Sequence, residues 1–168
     1  MQGKWKVFVY AGFFLALAVI FQGIRFVFPM IPGPVNIFLI GSLVNMCLML
    51  AVWTTESYWA AIIGMFLPVI AFFQGMLPVV LMIPVVGFGN ALYAILGKRM
   101  QRNRLLWCVP FVKAAVLYTG TCAVTMLLIL PERIAAMLSF LMSWPQIITG
   151  FAGIVLARTI LRRIKKAN

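Results

Sequence analysis

Six long apolar runs, separated by short breaks, limit what this chain can fold into. They cover Trp5–Val27, Val35–Trp53, Tyr58–Phe73, Leu77–Leu96, Leu105–Leu130 and Ile134–Ile160. A helix that crosses a bilayer needs about 20 apolar residues. An unpaired backbone group in hydrocarbon costs several kcal/mol, so a helix is the default for every run. Only 10% of the residues are charged, against about a quarter in an ordinary soluble domain. The expected fold is an all-α integral membrane protein, one compact bundle of six transmembrane helices over residues 1–168. The first run is too long for the apolar core of a signal peptide and lacks a small-residue cleavage site, so it is expected to stay in the protein.

Charge placement orients the bundle. Fourteen Lys and Arg stand against two acids, Glu56 and Glu132. The basic residues lie between and beyond the apolar runs, which is the pattern of the positive-inside rule and not of a nucleic-acid surface. With six helices and an internal N-terminus, one side holds Lys4 and Lys6, the loop bases Lys98, Arg99, Arg102 and Arg104, and the tail bases Arg158, Arg162, Arg163, Lys165 and Lys166. Arg25 and Arg133 fall outside, and Lys113 falls within a span. Merging the third and fourth runs spoils this segregation, so an N-in/C-in arrangement is expected. The tail bases suit anionic lipid headgroups.

The residues point away from an enzyme. The chain has no histidine, and its two acids sit at helix ends on opposite sides. That leaves no carboxylate pair for acid/base work and no mid-membrane acid for a proton relay. No phosphate-binding G-x-x-x-x-G-K-[ST] stretch is present, and no metal-ligand cluster is expected. No cofactor is expected either. Cys47, Cys108 and Cys122 form neither a disulfide framework nor a zinc pattern and read as small apolar residues. GFGN at Gly87–Asn90 reads as close helix packing. Pro68, Pro84, Pro110 and Pro145 are each expected to kink a span.

Depth along the helices gathers the uncharged polar groups toward the outer side. Gln22 and Arg25 lie near the outer end of the first helix, Asn36 begins the second, and Asn45 lies nearer its middle. Gln74 ends the third, Tyr118 lies in the fifth, and Trp144 and Gln146 lie in the outer half of the sixth. A few polar groups in an apolar pocket are what a small-molecule site needs. The candidate binding residues are therefore Gln22, Arg25, Asn36, Gln74, Tyr118, Trp144 and Gln146, with Lys113. Gln146 follows Pro145, and its amide could instead satisfy backbone freed there. Lys113 lies about 12 Å of helix rise beyond Leu105. Its stem could snorkel back to the basic loop, or its amine could meet a ligand, a carbonyl or a partner. The connection Gln22–Asn36, with Pro29, Pro32, Gly33 and Pro34, reads as a stiff gate over this region. On the first helix, Gly12 and Ala16, beside Ala11, have the small-x-x-x-small spacing that admits a close helix neighbour.

Taken together, RFVFPMIPGPVN after the first helix, LIGSLVN and AAIIGMFLPVIA in the second and third, IPVVGFGN in the fourth and the Ala11, Gly12, Ala16 face resemble the substrate-binding S-component of energy-coupling factor (ECF) transporters. The likeness covers the whole chain in size and helix count. It implies capture of a vitamin or related micronutrient from outside a bacterial cell membrane. It also implies release inside with a membrane scaffold protein and two cytoplasmic ATPases. The helix 1 face would be the coupling surface, here with glycine at one of the two positions where the family has alanine. No ligand signature of the riboflavin, thiamine, biotin or folate members stands out. An aromatic-lined site with amides and arginine would suit a flat heterocycle with an anionic group. The rival readings are a small structural or assembly membrane protein of the cell-shape or envelope type, and a stand-alone facilitator.

Overall fold

A computed structural model describes residues 2–167. Every regular element among them is helical: α1 (Gln2–Val27), α2 (Gly33–Thr55), α3 (Trp59–Phe73), α4 (Met82–Arg99), a 3₁₀ turn (Arg104–Cys108) running into α5 (Val109–Leu127), α6 (Glu132–Leu141) and α7 (Trp144–Ala167). Among the described residues, four stretches are long and apolar enough to cross a membrane: Trp5–Val27, Gly33–Thr55, Arg104–Leu127 and Glu132–Ile164. The 15-residue α3 is apolar but shorter, with a rise of about 22 Å against a hydrocarbon core of about 30 Å.

The helices form a ring around α2. α1 packs on α2 and α3, α3 on α4, α4 on α5, α5 on α7 and α7 on α2, while α2 also touches α3 and α4. Every residue from Val44 to Trp53 is buried, so the C-terminal half of α2 is the axis of the bundle. Glycines set the closest approaches. A Cβ on Gly153 of α7 would lie 2.6 Å from the Asn45 Cβ and 2.9 Å from its carbonyl carbon. One on Gly87 of α4 would lie 3.2 Å from the Met65 carbonyl oxygen on α3. Small residues let helix backbones approach in this way. The GFGN stretch does pack as expected, with Gly87 on α3 and Gly89 against Leu117 of α5.

Helix ends follow local chemistry. Proline excludes the residue before it from helical geometry, and α1 closes at Val27, with Phe28 N–H bonded to the Ile24 carbonyl just before Pro29. Pro34 sits in the first turn of α2, where a missing N–H costs nothing. α2 stops at Glu56, in the left-handed region at φ 48°. At the end of α3, Gly75 takes φ +68° and two reverse bonds form: Met76 N–H to the Ala71 carbonyl and Gly75 N–H to that of Phe72. This Schellman closure needs glycine.

Two expected helices are altered. The fourth begins at Met82, not Leu77, because the segment from Leu77 to Leu81 forms short turns around Pro78. The sixth is two helices, broken at Met142–Ser143 just before Pro145. The prolines also act differently from expectation. Only Pro68 lies inside a helix; Pro84, Pro110 and Pro145 all stand in first turns, where they start helices and do not kink them.

The two ends of the bundle are distinct. Trp53 Nε1–H donates to the Gly97 carbonyl, Lys98 to that of Glu56 and Arg158 to that of Gln101. These bonds gather the α2–α3 turn, the α4–α5 loop and the end of α7. The opposite end holds the α1–α2 and α3–α4 connections and the α6–α7 break.

Candidate functional site

A cavity of ≈ 430 Å³ lies in the half of the bundle that holds those connections, and all seven helices contribute to it. Its polar lining is Gln22 and Arg25 from α1, Asn36 and Asn45 from α2, Asn90 from α4, Lys113 from α5 and Gln146 from α7. Ile37, Ile40, Val44, Pro68, Ala71, Met76, Leu77, Val86, Leu141 and Met142 supply most of the apolar wall. Met76 arrives through the Schellman turn at Gly75, and Met142 through the α6–α7 break. The volume falls within the usual range for small-molecule sites.

Among the described residues Lys113 is the one buried charged side chain. It is 3% exposed, so it does not snorkel to the basic loop. Its Nζ donates to Asn45 Oδ1 at 2.6 Å and lies 4.9 Å from the centroid of the buried Tyr93 ring. Asn45 Nδ2 donates to Thr149 Oγ1, whose hydroxyl donates to the Gln146 carbonyl. The partner of Lys113 is thus a side-chain amide across the α2–α5 gap, held in place by α7. Close contact at Gly41 against Thr149 and at Gly153 against Asn45 makes this arrangement possible.

Two other amides donate to backbone carbonyls that have no helical donor. Pro68 cannot bond the carbonyl of Gly64, four residues earlier, and Asn90 Nδ2 donates to that oxygen from α4. The Leu141 carbonyl is left free at the end of α6, where the helix breaks before Pro145, and Gln146 Nε2 donates to it at 3.0 Å. The Gln146 bond is the backbone role its position beside Pro145 suggests. Both amides also line the cavity.

Gln22 and Asn36 differ from these. Gln22 Nε2 donates to the Leu67 carbonyl and Asn36 Nδ2 to the Ile31 carbonyl. Their oxygens, Gln22 Oε1 and Asn36 Oδ1, are buried with no hydrogen-bond partner. A carbonyl can only accept, so each amide must turn its nitrogen toward it, which leaves the oxygen without a donor. An unpaired buried acceptor costs about 1–3 kcal/mol. Arg25 stands beside them, its guanidinium 5.3 Å from the Phe26 ring centroid.

Comparison with protein-family models, curated proteins and solved structures finds no match. The site is therefore read from its own chemistry. Of the eight candidate binding residues, Gln22, Arg25, Asn36, Lys113 and Gln146 meet in the cavity. Gln74, Tyr118 and Trp144 do not. Gln74 caps α3, where its Oε1 is buried without a partner. Tyr118 is half-exposed on the periphery of α5, and Trp144 packs on Phe38 and Phe140 at 5.7 and 5.6 Å. Asn45 and Asn90 belong to the site and were not among the candidates. A mid-span proline was the available signal for Asn90, because the carbonyl it frees needs a donor from another helix. Among the described residues the lining contains no aromatic ring and no carboxylate, which corrects the expectation of an aromatic-lined pocket.

On α1, Ala11 is buried in the core, while Gly12 and Ala16 are exposed. A Cβ added at Gly12 meets nothing within 4 Å. Cys47 is buried, but Cys108 is exposed and is not a core residue.

Proposed function

We propose that this chain is the substrate-binding S-component of an ECF-type importer. In this reading it crosses the bacterial cell membrane six times, with both termini in the cytoplasm. It takes a vitamin or related micronutrient from the outer side and releases it inside through a membrane scaffold and two cytoplasmic ATPases. The observation that carries the reading is the cavity, built by every helix, whose lining includes Gln22 and Asn36, two amides with a buried oxygen that lacks a donor. The cavity also lies at the end of the bundle opposite Lys98, Arg102 and Arg158, so the positive-inside rule turns it outward. The short α3 crosses together with the turn-rich Gln74–Leu81 connection, whose Met76 and Leu77 line the cavity.

Native mass spectrometry of the purified chain in lipid nanodiscs tests this proposal. A co-purified small molecule is expected, and a vitamin panel should raise the melting temperature. Repeated absence of both favours the structural or envelope-assembly reading. The exposed Gly12–Ala16 face is the surface assigned to the scaffold. Gly12→Leu should leave ligand binding intact, because Gly12 is exposed and a Cβ there meets nothing within 4 Å, and should abolish uptake by the reconstituted complex. Uptake at wild-type rate would remove the coupling role from this face.

A further inference from the structure

The two ends of the cavity ask for different chemistry. At the deep end is Lys113, 3% exposed. An ammonium offers three hydrogens, and one of them goes to Asn45 Oδ1. Asn45 is neutral, so the bond satisfies geometry but not charge. The chain's only carboxylates, Glu56 and Glu132, are both outside the lining. A cation withdrawn from water without a counter-charge costs several kcal/mol. Arg25 adds a second cation nearer the α1–α2 connection. At that end Gln22 Oε1 and Asn36 Oδ1 lack donors, and Gln22 is 6% exposed. Between the ends the wall is aliphatic, from Ile37, Ile40, Val44 and Val86. No ring face lines it among the described residues, so nothing there can stack on a flat heterocycle.

Resting on the binding role proposed above, we infer that the cavity takes a compact aliphatic acid. Its carboxylate sits on Lys113 and accepts the ammonium hydrogens that Asn45 does not use. Its body fills the aliphatic middle. Amide N–H or hydroxyl groups at its other end meet the Gln22 and Asn36 amides, whose occluded oxygens turn toward the cavity to accept them. The Asn45–Thr149–Gln146 chain holds Lys113 in position, and Arg25 draws the anion to the entrance. Lys113, Gln22 and Asn36 then each gain a partner of the right sign and polarity.

The test uses the full chain in nanodiscs. Co-purified ligand is released and its formula read by accurate mass in negative-ion mode. Pantothenate and biotin serve as aliphatic acids with hydrogen-bond donors. Panthenol and biotinamide serve as their neutral counterparts, and riboflavin as a flat aromatic probe. The released ligand is expected to be an aliphatic carboxylic acid, and any acid that binds is expected to exceed its neutral counterpart. Lys113→Met should weaken the acid at least about 30-fold, the usual scale for removing one partner of a buried charge pair, and Lys113→Arg should weaken it less. Lys113→Met/Asn45→Leu, which removes both partners of the internal bond, covers the case in which the single variant does not fold. A neutral or flat aromatic ligand, or an acid bound equally well by a folded variant without Lys113, overturns this inference and leaves the binding role standing. A wild-type protein that yields no ligand and binds no probe overturns both.

Discussion

The closed end of the bundle and the cavity end differ in how their polar groups are satisfied. At the closed end Trp53, Lys98 and Arg158 each donate to a backbone carbonyl on another element. The main core lies toward this end, from Met46–Trp53 of α2 to Ala94, Val109 and Ala157. At the cavity end the core shrinks to a small cluster around Leu77, Met82, Leu117 and Met142. Among the described residues, the three buried side-chain atoms without a partner, on Gln22, Asn36 and Gln74, belong to this end. The division is physical. A packed, satisfied end supplies the stability that lets the other end keep a void and unpaired acceptors, both of which cost free energy.

Substitutions can break or sharpen that contrast. The largest effect is expected where α2 and α7 support both ends. Gly153→Val places atoms within contact of the Asn45 backbone, and overpacking against backbone should cost about 3 kcal/mol or more. Thermal unfolding in nanodiscs reads it, and a wild-type melting temperature would mean that the two helices do not approach so closely. Next is Asn45→Leu, which strands Lys113 without an acceptor and should cost about 3–5 kcal/mol. Adding Lys113→Met should recover most of that loss, because removing both partners is close to neutral. A double-mutant cycle measures the coupling, and simple additivity would show that Lys113 does not depend on Asn45.

Smaller effects separate the ends. Trp53→Phe deletes one donor to Gly97 at the closed end and should cost about 1 kcal/mol with ligand binding unchanged. Gln22→Leu removes an unpaired oxygen together with a long bond of 3.5 Å. Its ligand-free stability should stay within about 1 kcal/mol of wild type, while the stabilisation produced by ligand falls. A clear loss of ligand-free stability would make Gln22 a structural residue.

Depth was more legible than direction. Composition and spacing grouped Gln22, Arg25, Asn36 and Gln146, and the four line one cavity. Tyr118 and Trp144 were read at a similar level, yet they point elsewhere. Each residue turns a helix by about 100°, so level says nothing about azimuth. In a soluble helix the polar face reveals the inward one. Lipid is as apolar as a core, so α1 carries Phe8, Phe13 and Ile20 outward and Phe14 and Ala18 inward with little contrast.

The sequence by itself determined that the chain is helical, because apolar runs leave the backbone only internal partners, but not the late start of α4 or the break between α6 and α7. It also determined the gathering of basic residues, which the order of the runs and breaks imposes. Only the tertiary structure decided which amides converge. Asn45 reaches Lys113 across 68 positions, and Asn90 reaches the carbonyl freed by Pro68 from the neighbouring helix. Those pairings depend on the rotation of each helix and on the closeness that Gly41, Gly64 and Gly153 permit. Packing of the whole bundle sets these quantities, and no single run encodes them.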